Sequence, residues 1–262
     1  MSTMMATLWW PEVLRVIILA TLLSLLPYAI HTAKLYWKKK NKEETPEDLP
    51  EDMPEETGSS VLQCIRQRKS VFPRDYAIGE ADVTRGTMDL LLEAAMWAPF
   101  HGSVPPWRFV VLGRESMVEM QHVTLAYYDR EFESFWDSWE EYRVWRDTTE
   151  DEIFTRWGPV SFMVAIIMRR QAGSKRIPEW EEAAATAAAV QNMHIQASAD
   201  PHLACYWSSW HAGARDSPDM ARFLSMGPED KCMGMFIVAK NGHPNAPDRR
   251  RRRKENHVEW RE

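Results

Sequence analysis

Residues 160–168 (VSFMVAIIM) constrain the fold most, because Ser161 is the only polar side chain in nine consecutive positions. In an extended chain successive side chains point to opposite faces, so this strand is apolar on both and is too apolar to lie on a surface. Residues 108–112 (RFVVL) read as a short buried strand, residues 206–210 as a strand end, and 233–239 (MGMFIVA) as a last strand. Around them the period changes to that of helices. Residues 61–68 form a first helix and 87–97 (TMDLLLEAAMW) a second, whose apolar positions fill a broad stripe. Residues 178–199 open on Pro178, followed by Glu179, Glu181 and Glu182, which suits the positive end of a helix dipole. The middle of that helix, 183–189, offers almost only methyl groups, so another helix can approach closely. Residues 218–224 form a further helix capped by Ser217. Helices thus come before, between and after strands, and the class is α+β or α/β with one main sheet. A chain of 262 residues that is 45% apolar has ample material for this core.

The N-terminal part has a different character. Residues 16–30 carry no charge, and residues 13–37 suffice for a bilayer span of about 20 apolar residues if Arg15 and Lys34 snorkel. Trp9 and Trp10 on one side, and Tyr36 and Trp37 on the other, would form aromatic belts. Lys38, Lys39, Lys40 and Lys42 follow and keep that end cytosolic. The expectation is a single-pass anchor over 1–40 with everything after it in the cytosol; a cleaved signal or targeting peptide is the competing reading. Residues 43–56 (EETPEDLPEDMPEE) repeat every four residues on Pro46, Pro50 and Pro54, with eight acids and no base. Self-repulsion and proline keep such a stretch extended, so 41–60 is a linker and 61–262 the globular domain. Residues 249–254 are six consecutive bases; without them and the acidic spacer the rest carries −4, which gives no argument for nucleic-acid binding.

Cys64, Cys205 and Cys232 are odd in number and widely spaced, which points to reduced thiols and excludes a disulfide framework or a zinc site. The usual signatures of P-loop, Rossmann, zincin and α/β-hydrolase chemistry do not occur. No pair of histidines has metal-ligand spacing, no metal is expected, and His194 reads as a packed or interface histidine. Residues 127–156, with Trp136, Trp139 and Trp145 and with Trp157 just beyond, form either a helical hairpin whose aromatics finish the core or a lid over a flat ligand. Two segments carry chemistry. Arg66, Arg68, Lys69 and Ser70 run out of the first helix into VFPRDY, and forked guanidinium groups with a hydroxyl suit a phosphate and a polyol, although bases near a helix C-terminus are also ordinary dipole partners. Residues 98–109 (APFHGSVPPWRF) combine a helix stopped by Pro99, a Gly-Ser turn and a rigid Pro-Pro, a stiffness that fits a loop shaping a ligand.

The order RQRKSVFPRDY, LLEAAMWAPFHGSVPPWRFVVL, PEWEEAAATAAAVQNMHIQASA, ACYWSSWHAGARDSP resembles the FMN-dependent nitroreductase family, most closely its small branch with R-R-S and A-P-x-H-G/K-S motifs, over residues 61–260. The resemblance implies an α+β, three-layer fold, a central mainly antiparallel sheet flanked by helices. It also implies a homodimer holding FMN at the subunit interface, reduced by NAD(P)H and passing electrons to a nitroaromatic, quinone-like or similar flat substrate. Arg68, Lys69 and Ser70 match the family's phosphate and ribityl contact. His101 and Ser103 match the loop that reaches the flavin from the partner subunit, while Trp207, Ser208 and Ser209 match the segment near its ring. Arg251 and Arg253 sit where many members place a final phosphate-binding residue. Two departures stand out: Pro105 where relatives often carry Gln or Glu, and Asp200-Pro201-His202-Leu203 where Gly-x-Gly is usual. An anchor on this fold resembles the iodotyrosine deiodinase branch, so reductive dehalogenation is one alternative; a tethered interaction protein with degenerate flavin binding is another.

Overall fold

Strand β2 (Val160–Met168) is buried along almost its whole length and pairs antiparallel on both edges, with β1 (Trp107–Leu112) and β4 (Lys231–Lys240). Strand β3 (Leu203–Ser208) pairs with the far edge of β4, giving one four-stranded antiparallel sheet in the order β1-β2-β4-β3. The computed structural model describes residues 60–79, 82–171, 173, 176–245 and 257–261, which lie in the unit Gly58–Glu262. The segment expected to span a bilayer, the acidic linker up to Ser59, Arg251 and Arg253 lie outside the described residues. Among the described residues no helix is long and apolar enough to cross a membrane.

Period-two alternation splits the sheet's side chains between two cores. On one face Val164, Ile166, Cys205, Phe236 and Val238 pack against α2 (Arg85–Met96) and α5 (Glu179–Ser198). On the other, Met163, Ala165, Ile167, Met235 and Ile237 pack with Met117 and Met120 of α3 (Arg114–Glu131), Met220 of α7 (Pro218–Phe223), Trp157 and Trp210. Helix α1 (Ser60–Gln67) also packs on α5, and α4 (Trp139–Thr155) on α3. The result is an α+β, three-layer arrangement. Ala185 and Ala189 of α5 are buried against the sheet, and this methyl-only surface admits α2 alongside.

Two elements differ from their sequence reading, and a third settles one of its alternatives. Helix α3 escapes it because its buried positions, Met117, Met120, Gln121, Thr124, Leu125 and Tyr128, include two polar residues that interrupt the apolar stripe. Gln121 Nε2 donates to Met117 O, and Thr124 Oγ1 donates to Met120 O and accepts from Trp210 Nε1, so both are satisfied where they sit. Residues 127–156 follow the helical-hairpin reading, as the end of α3, a 3-10 turn at Phe132–Ser134 and α4; Tyr128, Trp136, Tyr142 and Trp145 make edge, tilted and stacked contacts with one another at 4.8–5.9 Å. Strand β3 spans Leu203–Ser208 instead of reaching residue 210, because Trp210 is left-handed (φ +57°) and leaves the ladder.

A bulge in β4 sets the shape of that strand end. Ala165 faces Met235 and Ile167 faces Cys232, so Met233 and Gly234 together oppose Ile166. Gly234 has φ +114°, and a Cβ there would stand 2.2 Å from Ser208 O. Gly234→Ala is therefore expected to cost more than about 2 kcal/mol, from a left-handed φ worth about 1–2 kcal/mol plus the collision, read as a lower urea midpoint.

Candidate functional site

The segment after α1 lies along the open edge of β3. Val71 N donates to Cys205 O (3.1 Å), and Ala77 N donates to Lys240 O further on, so residues 68–76 are stitched to the sheet by backbone bonds. This delivers Arg68, Lys69 and Ser70, all half-buried, to one place. Beside them is a cavity of about 430 Å³ lined by Lys69, His194, Asp200, Asn241 and Asn245 among others, within the roughly 300–1,000 Å³ of ligand clefts. Buried Asn241 closes its floor, with Nδ2 donating to Pro201 O and the backbone N donating to His202 O, both at 2.8 Å. The Asp200–Leu203 turn does without glycine: none of its residues has positive φ, and Asp200 Oδ1 accepts from His202 N.

Two residues beyond Cys205 on the same face of β3, about 7 Å along the strand, comes Trp207. Its indole Nε1 donates to Met233 O (2.8 Å), a contact that the bulge creates, and its ring is half-buried against the α2–α5 face. Ser208 Oγ accepts from Trp210 N (3.1 Å), and Ser209 O accepts from Arg215 Nη1 (2.9 Å) at the end of α6 (Ala212–Arg215). The left-handed Trp210 costs about 1–2 kcal/mol, offset by that bond and by its indole bond to Thr124 (3.0 Å). The strand end is thus held at both faces.

The loop at 98–106 sits elsewhere. Gly102 has φ +130°, the turn that a side chain would strain, and exposed His101 places Nδ1 3.0 Å from Glu181 Oε2 at the start of α5. Pro106 O accepts from Arg169 N (2.7 Å), and Val104 O accepts from Gln171 Nε2 (3.2 Å). Arg170 in turn forms an ion pair with the fully buried Glu182, whose other oxygen accepts from Gln171 N. From Glu181 to His194 is thirteen residues, about 20 Å along the helix axis. Within one chain the structure therefore brings the segment of Arg68, Lys69 and Ser70 to β3 at Cys205, two residues before Trp207, and leaves His101 at the opposite end of α5.

Burial raises the pKa of the Cys205 and Cys232 thiols, so neither of these two serves as a nucleophile. Among the described residues no group of three or more His, Cys, Asp or Glu is placed to share a metal ion.

The sequence model of the Nitroreductase family matches residues 65–242, a span that includes the whole β3 edge and the 98–106 loop. The chain belongs to this family. Solved structures with the same fold include a nitroreductase-like family protein from Bacillus cereus, 21% identical, covering 79% of this chain and 98% of that one at a TM-score of 0.58. A nitroreductase with bound FMN from Bacteroides fragilis is 18% identical over 78% and 100% of the two chains, TM-score 0.57. A point mutant of an FMN- and NADPH-dependent nitroreductase from Sphigopyxis sp. strain HMH is 16% identical over 77% and 99%, TM-score 0.56. At such identities the likeness is one of fold. No curated protein sequence matches the chain.

Sequence reasoning missed three residues of this site. Gly234 was open to it, since a glycine inside an otherwise apolar strand marks a bulge or a close approach. The Arg170–Glu182 pair was not, because Glu182 reads as one more first-turn acid until the end of β2 folds over it. His194 was noticed, yet its partners are 125 and 11 residues away. Removing one partner of the buried pair strands the other, so Glu182→Ala is expected to lower unfolding stability by about 3–5 kcal/mol, seen as a reduced denaturant midpoint at unchanged m.

Proposed function

We propose that this chain is an FMN-dependent NAD(P)H oxidoreductase that works as a homodimer and reduces flat, electron-poor aromatics of the nitroaromatic or quinone type by ping-pong hydride transfer. The observation that carries the reading is the β3 edge of a nitroreductase-family chain. There a guanidinium, an ammonium and a hydroxyl on successive residues lead into Val71, whose N–H donates to Cys205 O two residues before the 207–209 segment.

The donor set fits the cofactor's polar half: Arg68 and Lys69 would hold a phosphate monoester through charge-assisted bonds, and Ser70 a ribityl hydroxyl. Asp200 at the cavity rim stays outside that donor set. FMN, once bound, supplies the hydride chemistry itself, and the protein binds and orients it. Trp207, pinned through Met233 O, would offer a fixed flat wall, with Ser208 and Ser209 beside it. Arg251 and Arg253 would add phosphate contacts from the basic tail.

The dimer follows from spacing and surface. His101 and Ser103 stand about 20 Å along α5 from Arg68, so a single ligand meets both sets most directly across a two-fold axis. Leu90, Met96, Trp97 (81% exposed) and Val104 on α2 and its following loop, with Trp180 (69%) at the start of α5, form an apolar surface suited to a second copy. We further propose that residues 13–37 tether this domain to a membrane from the cytosolic side.

Purified chain is expected to carry about one FMN, visible by absorption and identified after acid release, and to bleach when NADPH is added without oxygen. A folded, colourless dimer that takes up no FMN points instead to a tethered interaction protein. Arg68→Ala and Ser70→Ala should each weaken FMN, Arg68→Ala about tenfold or more, from the roughly 1.5–3 kcal/mol of a charged hydrogen bond; an FMN titration followed by flavin fluorescence measures it. The full-length chain is expected to pellet with membranes and to resist alkaline carbonate, whereas a chain lacking residues 1–40 should be released. Release of the full-length chain would remove the tether from the proposal.

A further inference from the structure

The first turn of α5 carries three acids, and each is matched to a base from a different part of the chain. Glu179 pairs with Lys231 of β4, and the fully buried Glu182 pairs with Arg170 beyond the end of β2. Glu181 is left for the loop at 98–106: its Oε2 stands 3.0 Å from Nδ1 of His101. A negative charge is favoured in this first turn by the helix dipole. Only 24% of the Glu181 side chain is exposed, against 80% of the imidazole, so the acid is packed on the helix and the ring faces outward.

The loop is anchored on both sides of His101. Before it, the rings of Phe100 and Trp107 meet edge to face at 5.4 Å and 90°. After it, Gly102 turns with φ +130° and Val104 O accepts from Gln171 Nε2. An ionised carboxylate can only accept, so Nδ1 carries a hydrogen in the neutral ring and in the imidazolium alike. The proton that this ring gains and loses is therefore the one on Nε2. That nitrogen has no partner among the described residues. A carboxylate that fixes the tautomer of an imidazole and leaves the other nitrogen free is the arrangement in which histidine moves protons.

Resting on the reading that this loop reaches FMN held by a second copy, we propose that His101 and Glu181 form a proton-delivering dyad: His101 protonates the substrate through Nε2, and Glu181 is the positioning residue that keeps Nδ1 occupied. A quinone reduced to a hydroquinone takes up one hydride and one proton. A nitro group reduced to a nitroso group takes up the same pair and releases water. NAD(P)H supplies the hydride, with both electrons, by way of FMN. For the proton, the Nε2–H bond of the imidazolium breaks and leaves its electron pair on Nε2, while an O–H bond forms on the substrate oxygen. The neutral ring then regains a proton from water, and Glu181 stays ionised throughout.

The test compares two electron acceptors. Full-length chain carrying FMN is reduced with NADPH and mixed either with a benzoquinone, which needs a proton, or with ferricyanide, which takes electrons alone. The ratio of the two rates reads proton delivery and cancels any change in FMN content. His101→Gln should lower that ratio about a hundredfold, at the low end of general acid catalysis, and Glu181→Ala about tenfold. In the His101→Gln background Glu181→Ala should add nothing, since residues acting through one another are not additive. Ring-nitrogen NMR at about pH 8, where imidazole is ordinarily neutral, gives a readout independent of activity. It should find the His101 hydrogen on Nδ1 in the native chain and on Nε2 in Glu181→Ala, with His101→Gln identifying the signals. Native chain that takes up no FMN would remove the functional reading and the dyad with it. Native chain that carries FMN and bleaches with NADPH, beside an unchanged rate ratio in either variant or an unchanged tautomer in Glu181→Ala, would remove the dyad alone.

Discussion

A single rigid rod sets the geometry of this protein. Helix α5 has twenty residues, about 30 Å, and each end is fastened by a different buried polar contact. At its start Glu182 meets Arg170 and the backbone of Gln171, which fixes the end of β2 and, through Val104 and Pro106, the loop carrying His101 and Ser103. Near its end His194 meets the carbonyls of Lys69 and Cys205 and the guanidinium of Arg68. The rod cannot shorten, because its alanine-rich face is already in contact with α2 and the sheet. Two motif groups are therefore held apart by a fixed distance within one chain. On the proposed reading this separation is why the site is completed by a second copy.

The second constraint is the irregular end of the sheet. Strand β3 pairs with β4 in unbroken register to Ser208, with Trp207 facing Phe236. Beyond that point the two-for-one bulge of β4 against β2 at Met233 and Gly234 leaves the Met233 carbonyl to the Trp207 indole, and the left-handed Trp210 ends the strand. Strain of this kind persists only where the surroundings over-determine it. Here they do: Thr124 and the Ser208 hydroxyl hold Trp210 from two sides, and the polar residues that hid helix α3 in the sequence turn out to be part of that support.

Much of the fold was open to reading because its signals are local. The apolar run of β2, the proline start of α5 and the Ser217 cap of α7, whose hydroxyl accepts from Met220 N, depend only on neighbouring residues and appear where periodicity and capping place them. The site was open in part. Arg68, Lys69 and Ser70 stand next to one another in the chain, and the meeting of their segment with β3 at Cys205 follows from edge pairing, which no local pattern encodes. His101 and Ser103 were recognisable as a stiff loop, but their distance from Arg68 is a property of α5 as a packed rod.

The sequence alone thus determined the elements, the apolar strand that demands cover on both faces, and the residue types that can bind an anionic, flat ligand, because side-chain chemistry and near-neighbour spacing suffice for each. Tertiary structure decided which of those residues meet. Glu182 became a buried anchor, and His194 met Arg68 and the carbonyls of Lys69 and Cys205, only once β2, β3 and the segment after α1 closed around α5. Burial and long-range hydrogen bonding are set by partners tens to more than a hundred residues away, and periodicity carries no record of them.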